Sequence, residues 1–196
     1  MKHLHGMREL IQYARDSGAT DAALIPARDI LAEDHLAGFC KPPGCDQFGK
    51  AMSCPPHVAG PSAFRQWLPL FEHALVFKID TFSEALLSPQ ALLLFKKLHE
   101  IASGVQKKAV LMGFLNAKGF AGGSCKTIFC ADQEKCGVIA GAPCRHPLTA
   151  KPSMSGFGIN VSKLIASAGW EMKRASLSPD AAPETPVTLC GLVLID

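Results

Sequence analysis

Nowhere in the 196 residues do about 18 apolar residues follow one another, the length that a membrane-spanning helix needs, so no such span is expected. The N-terminus, Met1-Lys-His-Leu-His-Gly-Met-Arg-Glu-Leu10, places charge where a secretory signal requires an unbroken apolar run. Basic charge is not gathered into a block either. The net charge of +3 comes from scattered Lys and Arg, which leaves no electrostatic footprint of the kind nucleic-acid binders show. Neither nucleic acid nor membrane is therefore an expected partner, and a cytoplasmic, unanchored protein is the expectation. The chain also has no nucleotide fingerprint, no G-x-x-x-x-G-K-[ST] loop and no G-x-S-x-G elbow, which removes the commonest phosphate-binding and nucleophilic chemistries.

What is present is enough apolar residue, 48% of the chain, to bury a core without covalent staples. One domain over residues 1–196 is the simplest organisation. Leu10, Ile11 and Ala14 fall at helical spacing in a segment over residues 7–17 that Gly18 closes. The short apolar run Asp21-Ala-Ala-Leu-Ile25, stopped by Pro26, reads as a buried strand. Ser62 is placed to cap a helix running to about Leu70, and His73-Ala-Leu-Val-Phe-Lys-Ile79 reads as a second strand. The longest helical pattern spans residues 89–113 after Ser88-Pro89, with Gly104 as a point of division. A glycine-rich connector over residues 113–123, a helix from Val161 to Ala168, and strands around Trp170–Ala175 and Val187–Ile195 complete the pattern, the last two flanking a loop with Pro179, Pro183 and Pro186. Helices alternating with short strands imply an α/β layered fold, its cysteine-rich loops gathered at one edge.

The eight cysteines are clustered: Cys40, Cys45 and Cys54, then Cys125, Cys130, Cys136 and Cys144, then Cys190 alone. In a reducing compartment, thiols at short spacings in loops are metal ligands or catalytic groups rather than bridges. The second loop spaces four thiols as C-x4-C-x5-C-x7-C, and four thiolates close a [4Fe–4S] cluster, one per iron. Gly122, Gly123, Gly137 and Gly141 supply backbone freedom for the chain to wrap such a group. Structural zinc takes four thiolates too, but usually from C-x2-C pairs, and no two cysteines here are so close. Arg145, Lys151, Lys126 and Lys135 surround this loop with positive charge that would offset anionic thiolates. Ser153 is placed to cap a helix through Met154 and Phe157.

The first loop, Cys40-x4-Cys45-x8-Cys54, offers three thiols, the last followed by Pro55 as in ferredoxin ligand runs. A fourth position is then open to His57, to Cys190, to water or to a substrate. His57 and His146 stand close to ligand cysteines but suit a supporting role better than ligation, while His3, His5, His35, His73 and His99 have no such context. Cys190, within Val187-Thr-Leu-Cys-Gly-Leu-Val-Leu-Ile195, reads as a small core residue.

Three stretches now carry a resemblance: Phe48-Gly-Lys-Ala-Met-Ser-Cys54-Pro-Pro-His57, Gly122-Gly-Ser-Cys125 with its later cysteines, and Pro143-Cys-Arg-His-Pro147 followed by Lys151-Pro-Ser-Met154 and Gly158-Ile-Asn-Val161. Over most of its length the chain resembles an uncharacterised family of cysteine-rich, predicted metal-binding proteins, a domain of unknown function found chiefly in anaerobic bacteria and archaea. Phe48, Lys151, Ser155 and Asn160 stand where that family more often has Tyr, Arg, Glu and Asp, and the family's cysteines tend to be spaced nearer C-x2-C. The resemblance implies metal ligation by Cys40, Cys45, Cys54, Cys125, Cys130, Cys136 and Cys144, and implies no particular activity.

Three functions compete. The first is a redox or electron-transfer protein carrying one or two [4Fe–4S] clusters, with a redox protein as partner. The second is an enzyme that binds a small-molecule substrate at the open iron of a three-cysteine cluster. The third is a zinc-stabilised interaction module. Catalytic residues and oligomeric state are not legible.

Overall fold

The stretches His73–Phe82 and Pro186–Ile195 are apolar at consecutive rather than alternate positions, the pattern of strands covered on both faces. The computed structural model describes residues 2–173 and 184–196. In chain order its elements are α1 (Lys2–Asp16), β1 (Asp21–Pro26), α2 (Asp34–Gly38), α3 (Gly60–Trp67), β2 (His73–Phe82), α4 (Ser83–Leu86), α5 (Gln90–Leu111), β3 (Lys118–Phe120), α6 (Cys125–Phe129), α7 (Val161–Ser167) and β4 (Pro186–Ile195). The four strands form one antiparallel sheet in the order β1-β2-β4-β3. The architecture is thus the expected mixture of helices and strands in layers.

Alternate residues of the two central strands feed two separate cores. Leu75, Phe77 and Ile79 of β2, with Val193 and Ile195 of β4, pack against Leu10 and Ala14 of α1 and Leu98, Ile101 and Val105 of α5. Ala74, Val76, Leu192 and Leu194 point the other way, to Phe64 of α3, Phe120, Phe157, and Leu164 and Ile165 of α7. Burying each large apolar side chain contributes about 1.5–3 kcal/mol, so the two cores together hold the sheet between layers. Phe64, Phe120 and Phe157 meet with ring centroids 5.3–5.8 Å apart, and that trio anchors the turn at Ser155–Phe157, which leads back to the cysteines. No described helix is long and apolar enough to cross a membrane.

The structure departs from the expected elements at five places. The helix expected from Ser62 begins two residues earlier, with Pro61 in its first turn, so Ser62 lies inside α3 and is not its cap. Gly104 does not divide α5, which runs unbroken over 22 residues. Its lack of a side chain serves packing instead, since Tyr13 of α1 crosses there and its Cε1 lies 2.8 Å from where a Cβ would stand. The glycine-rich connector contains β3, which adds Phe120 to the second core. Residues 170–173 form no strand, although the Lys173 carbonyl accepts one hydrogen bond from the Thr188 amide at 3.0 Å, while residues 174 and 175, with Pro179 and Pro183, lie outside the described residues. Pro186 opens β4 rather than standing in the loop.

Candidate metal centre

Two loops carry the thiols, and both are built of tight turns rather than regular structure. In the first, amide-to-carbonyl bonds link Cys40 to Ala37, Gly44 to Lys41, Cys54 to Ala51 and His57 to Cys54, at 2.8–3.1 Å. In the second, the five-residue α6 carries Cys125 at its start and ends at Cys130, and a further turn bonds the Ala140 amide to the Cys136 carbonyl at 3.1 Å. Of the four glycines expected to free this loop's backbone, Gly123 and Gly141 take left-handed conformations (φ +79° and +85°), whereas Gly122 and Gly137 do not.

The thiols fall into two groups. Cys125, Cys130, Cys136 and Cys144 all line one cavity of about 50 Å³, walled also by Phe129, Val138, Pro143 and His146. Cys40, Cys45 and Cys54 line another of about 690 Å³, with Phe39, Ser124, Ile159 and Met172 among its walls. Cys190 joins neither group. It is buried in β4 opposite Lys78, in the core beneath α3 and α7, and burial pushes its thiol up to about 12. All eight cysteines are free thiols. Among the described residues no three His, Cys, Asp or Glu side chains gather closely enough to hold a single metal ion.

The loops are fastened to each other at Ser53. Its hydroxyl accepts from the Cys125 amide at 3.1 Å, and its carbonyl accepts from the Ser153 amide at 2.8 Å. Cys54 and Cys125, the most buried thiols of their loops, share a small apolar cluster with Ala51, edged by Phe129 and Ala150. Thr127 adds a bond from its hydroxyl to the Gln47 side chain at 2.9 Å. Ser153 serves this junction and is not a helix cap, because the turn that follows is a three-residue 3-10 turn with Met154 at its head.

The thiols differ in their readiness to ionise. Burial raises Cys125, offset in part by bonds from Ser53, and burial followed by the nearby Cys45 and Cys54 raises Cys40. Cys130 is also raised by burial, against the pull of Arg145. Cys136 is the exception. Burial works against its thiolate, but the amides of Ile139, Met52 and Val138 and the charge of Lys126 outweigh it and bring the thiol below its ordinary value. The Met52 amide belongs to the first loop, so this second-loop thiol is polarised from both.

His99, which had no legible context, is the main support beneath the second loop. It is fully buried on α5, its Nδ1 accepting from the Lys151 amide at 2.9 Å. Nε2 must then carry the proton, and it donates to the Gly122 carbonyl at 3.1 Å. The ring also meets Phe129 edge-on at 5.3 Å. Burial lowers its pKa from 6.5 to about 4, so it is neutral at pH 7. Ser103 and Gln106 continue the same stripe, Ser103 donating to the Leu148 carbonyl and Gln106 accepting from the buried Lys151 ammonium at 2.8 Å. Lys151 is therefore turned into the protein and does not add to the charge around the loop. Arg145 is paired with Asp132 at 3.1 Å, and Lys126 and Lys135 line a further cavity beside Cys136.

The two histidines near ligand cysteines are placed differently. His57 holds Nε2 against the Gly49 carbonyl at 3.3 Å and does not line the three-thiol cavity. His146 stacks on Phe129, centroids 5.2 Å apart, and its amide donates to the Cys144 sulfur at 3.4 Å. Spacing could not have singled out His99, since its partners are 23 and 52 residues distant.

A family model described as a predicted metal-binding protein (DUF2284) matches residues 23–195, a span that takes in both loops and all four strands but for the first two residues of β1. No curated protein and no solved structure matches the chain.

Proposed function

The chain belongs to this DUF2284 family of predicted metal-binding proteins, and from that premise we propose that it is an iron–sulfur protein with a redox or electron-transfer role. The observation that carries the reading is the convergence of Cys125, Cys130, Cys136 and Cys144 on one small cavity. Four thiols that line one cavity suit a group with several metal atoms that each take one thiolate. Structural zinc usually draws its thiolates from C-x2-C pairs, and this chain has none. The amides directed at Cys136 would bond to its sulfur in the ionised form, as donors around a cluster do when they set its potential. Such a group would supply one-electron transfer. The free thiols suit a reducing compartment, which we take to be the cytoplasm, and a redox protein would be the partner.

A second reading, an enzyme that binds a small molecule at the open position of a three-thiolate cluster, is favoured by one observation. Cys40, Cys45 and Cys54 open onto a wide cavity whose wall includes neither His57 nor Cys190 as a fourth ligand.

Purification under anaerobic conditions followed by iron, acid-labile sulfide and zinc analysis tests the proposal. Iron and sulfide are expected in comparable amounts, approaching about eight irons per chain if both loops carry [4Fe–4S] clusters. Stoichiometric zinc without sulfide would overturn it.

A further inference from the structure

The cavity beside Cys40, Cys45 and Cys54 is the wider of the two thiol-lined cavities. It encloses about 690 Å³ where the four-thiol cavity encloses about 50 Å³, and it falls within the size range of small-molecule sites. Its far wall comes from outside both loops: Ile159, Asn160 and Lys163 from the entry to α7, and Met172 from beyond its end. Phe39, just past α2, stands at the rim, 70% exposed.

Ser124 is among the residues that line this cavity and is only 6% exposed. Among the described residues its hydroxyl is the buried side-chain polar atom that has no hydrogen-bond partner. A buried hydroxyl left unpaired is unfavourable, and a turn of the Ser124 side chain towards an acceptor placed in the cavity would remove that penalty. Charge narrows the choice. Apart from the thiols, Lys163 is the one charged side chain on the described wall, and it is already engaged by Glu33 at 3.3 Å. Phosphates and dicarboxylates therefore find no cluster of cations, whereas a neutral or singly charged molecule fits.

We propose that this cavity binds a small organic molecule with a flat or branched apolar body, held between Phe39, Ile159 and Met172, and one oxygen-acceptor end hydrogen-bonded by Ser124 near Cys54. Binding needs only the cavity and the hydroxyl. The ligand's chemical use rests on the second reading above, since the acceptor end would lie beside the group held by the three thiols.

Benzoate and benzamide serve as probes, sharing a ring and an oxygen acceptor and differing in charge. Anaerobically purified protein carrying ¹³C-methyl methionine is titrated with each, and iron and sulfide are measured on the same samples. A saturable shift is expected at the Met172 methyl, while Met7 and Met112, across the sheet, stay still. Saturation by benzoate alone assigns a carboxylate ligand, and by benzamide alone a neutral one; either supports the site. Ser124→Ala should weaken binding about tenfold without harming the fold, because it deletes an unpaired hydroxyl. Phe39→Ala, at an exposed position, should weaken it through lost apolar contact. No saturable shift with either probe, or binding indifferent to Ser124→Ala, overturns the proposal. Iron and sulfide without probe binding removes the pocket and leaves the cluster reading standing. Ser124-dependent binding in protein free of iron does the reverse.

Discussion

The two cysteine loops begin from similar material and end in different surroundings. The second packs four thiols around about 50 Å³ and is braced from below by His99. The first spreads three thiols along one side of about 690 Å³ and is held mainly by its own short turns and by Ser53. The difference shows that two clusters of similar thiol count take on different room according to the elements packed beside them. Under the proposal above, the narrow four-thiol cavity suits electron transfer and the wide three-thiol cavity suits chemistry on a small molecule, which is why one chain supports both readings.

The sharpest way to break the comparison is Cys136→Ala. It should empty the second loop, removing about half the iron and sulfide, and lower stability with the lost metal, as metal analysis and thermal denaturation would register. If first-loop iron falls equally, the loops hold one shared group and the division into two is wrong.

His99→Phe comes next. It strands the buried Lys151 amide and Gly122 carbonyl, at about 1–3 kcal/mol for each unpaired group, and should loosen the second loop while sparing the first. The same residue gives a pH test. Because its pKa falls from 6.5 in the unfolded chain to about 4 in the folded one, only the unfolded chain binds the proton between those values. This contribution to stability is whole above about pH 6.5 and declines as pH falls towards 4, by up to about 3 kcal/mol. Chemical denaturation at pH 7 and pH 5 should show that decline in wild type and a shallower one in His99→Phe.

Ser53→Ala should have a smaller effect on both loops together, about 1–2 kcal/mol, because the Cys125 amide loses its acceptor. Iron loss confined to one loop would mean that Ser53 is not their common fastening. Cys190→Ala should cost least, about 1 kcal/mol of core packing, and leave iron and sulfide unchanged. Iron that falls with Cys190 would make it a ligand and undo its assignment to the core.

Much of this was readable from the chain where one residue's neighbours in sequence decide its environment. The apolar runs of β2 and β4, the Gly169 that ends α7 and the burial of Cys190 are of this kind. What escaped depends on distant partners. Gly104 looked like a helix break because the crossing of Tyr13 cannot be seen from α5 alone. β3 hid in a glycine-rich stretch because its three residues become a strand only against Leu192–Leu194. Lys151 looked like surface charge until Gln106, 45 residues away, turned it inward. The positions of the cysteines were plain, but their sorting into a narrow and a wide cavity required Ser53, Ser124 and the α7 entry to be placed beside them.

The polar stripe of His99, Ser103 and Gln106 also governs when the molecule opens. α5 is rigid with the first core through Leu98, Ile101 and Val105, so a backbone group bound to that stripe is released only when the helix itself leaves the sheet. The amides of Gly119 and Lys151, bonded to Gln106 and His99, should therefore exchange with solvent deuterium at rates set by global unfolding. Amides at Cys40, Lys41 and Gly44, whose bonds reach only three residues back to Ala37, Gly38 and Lys41, should exchange through small local openings. One end of the chain's cysteine apparatus thus keeps the slow time of the sheet and its helices, and the other keeps the fast time of a turn, the tempo at which a molecule could enter and leave.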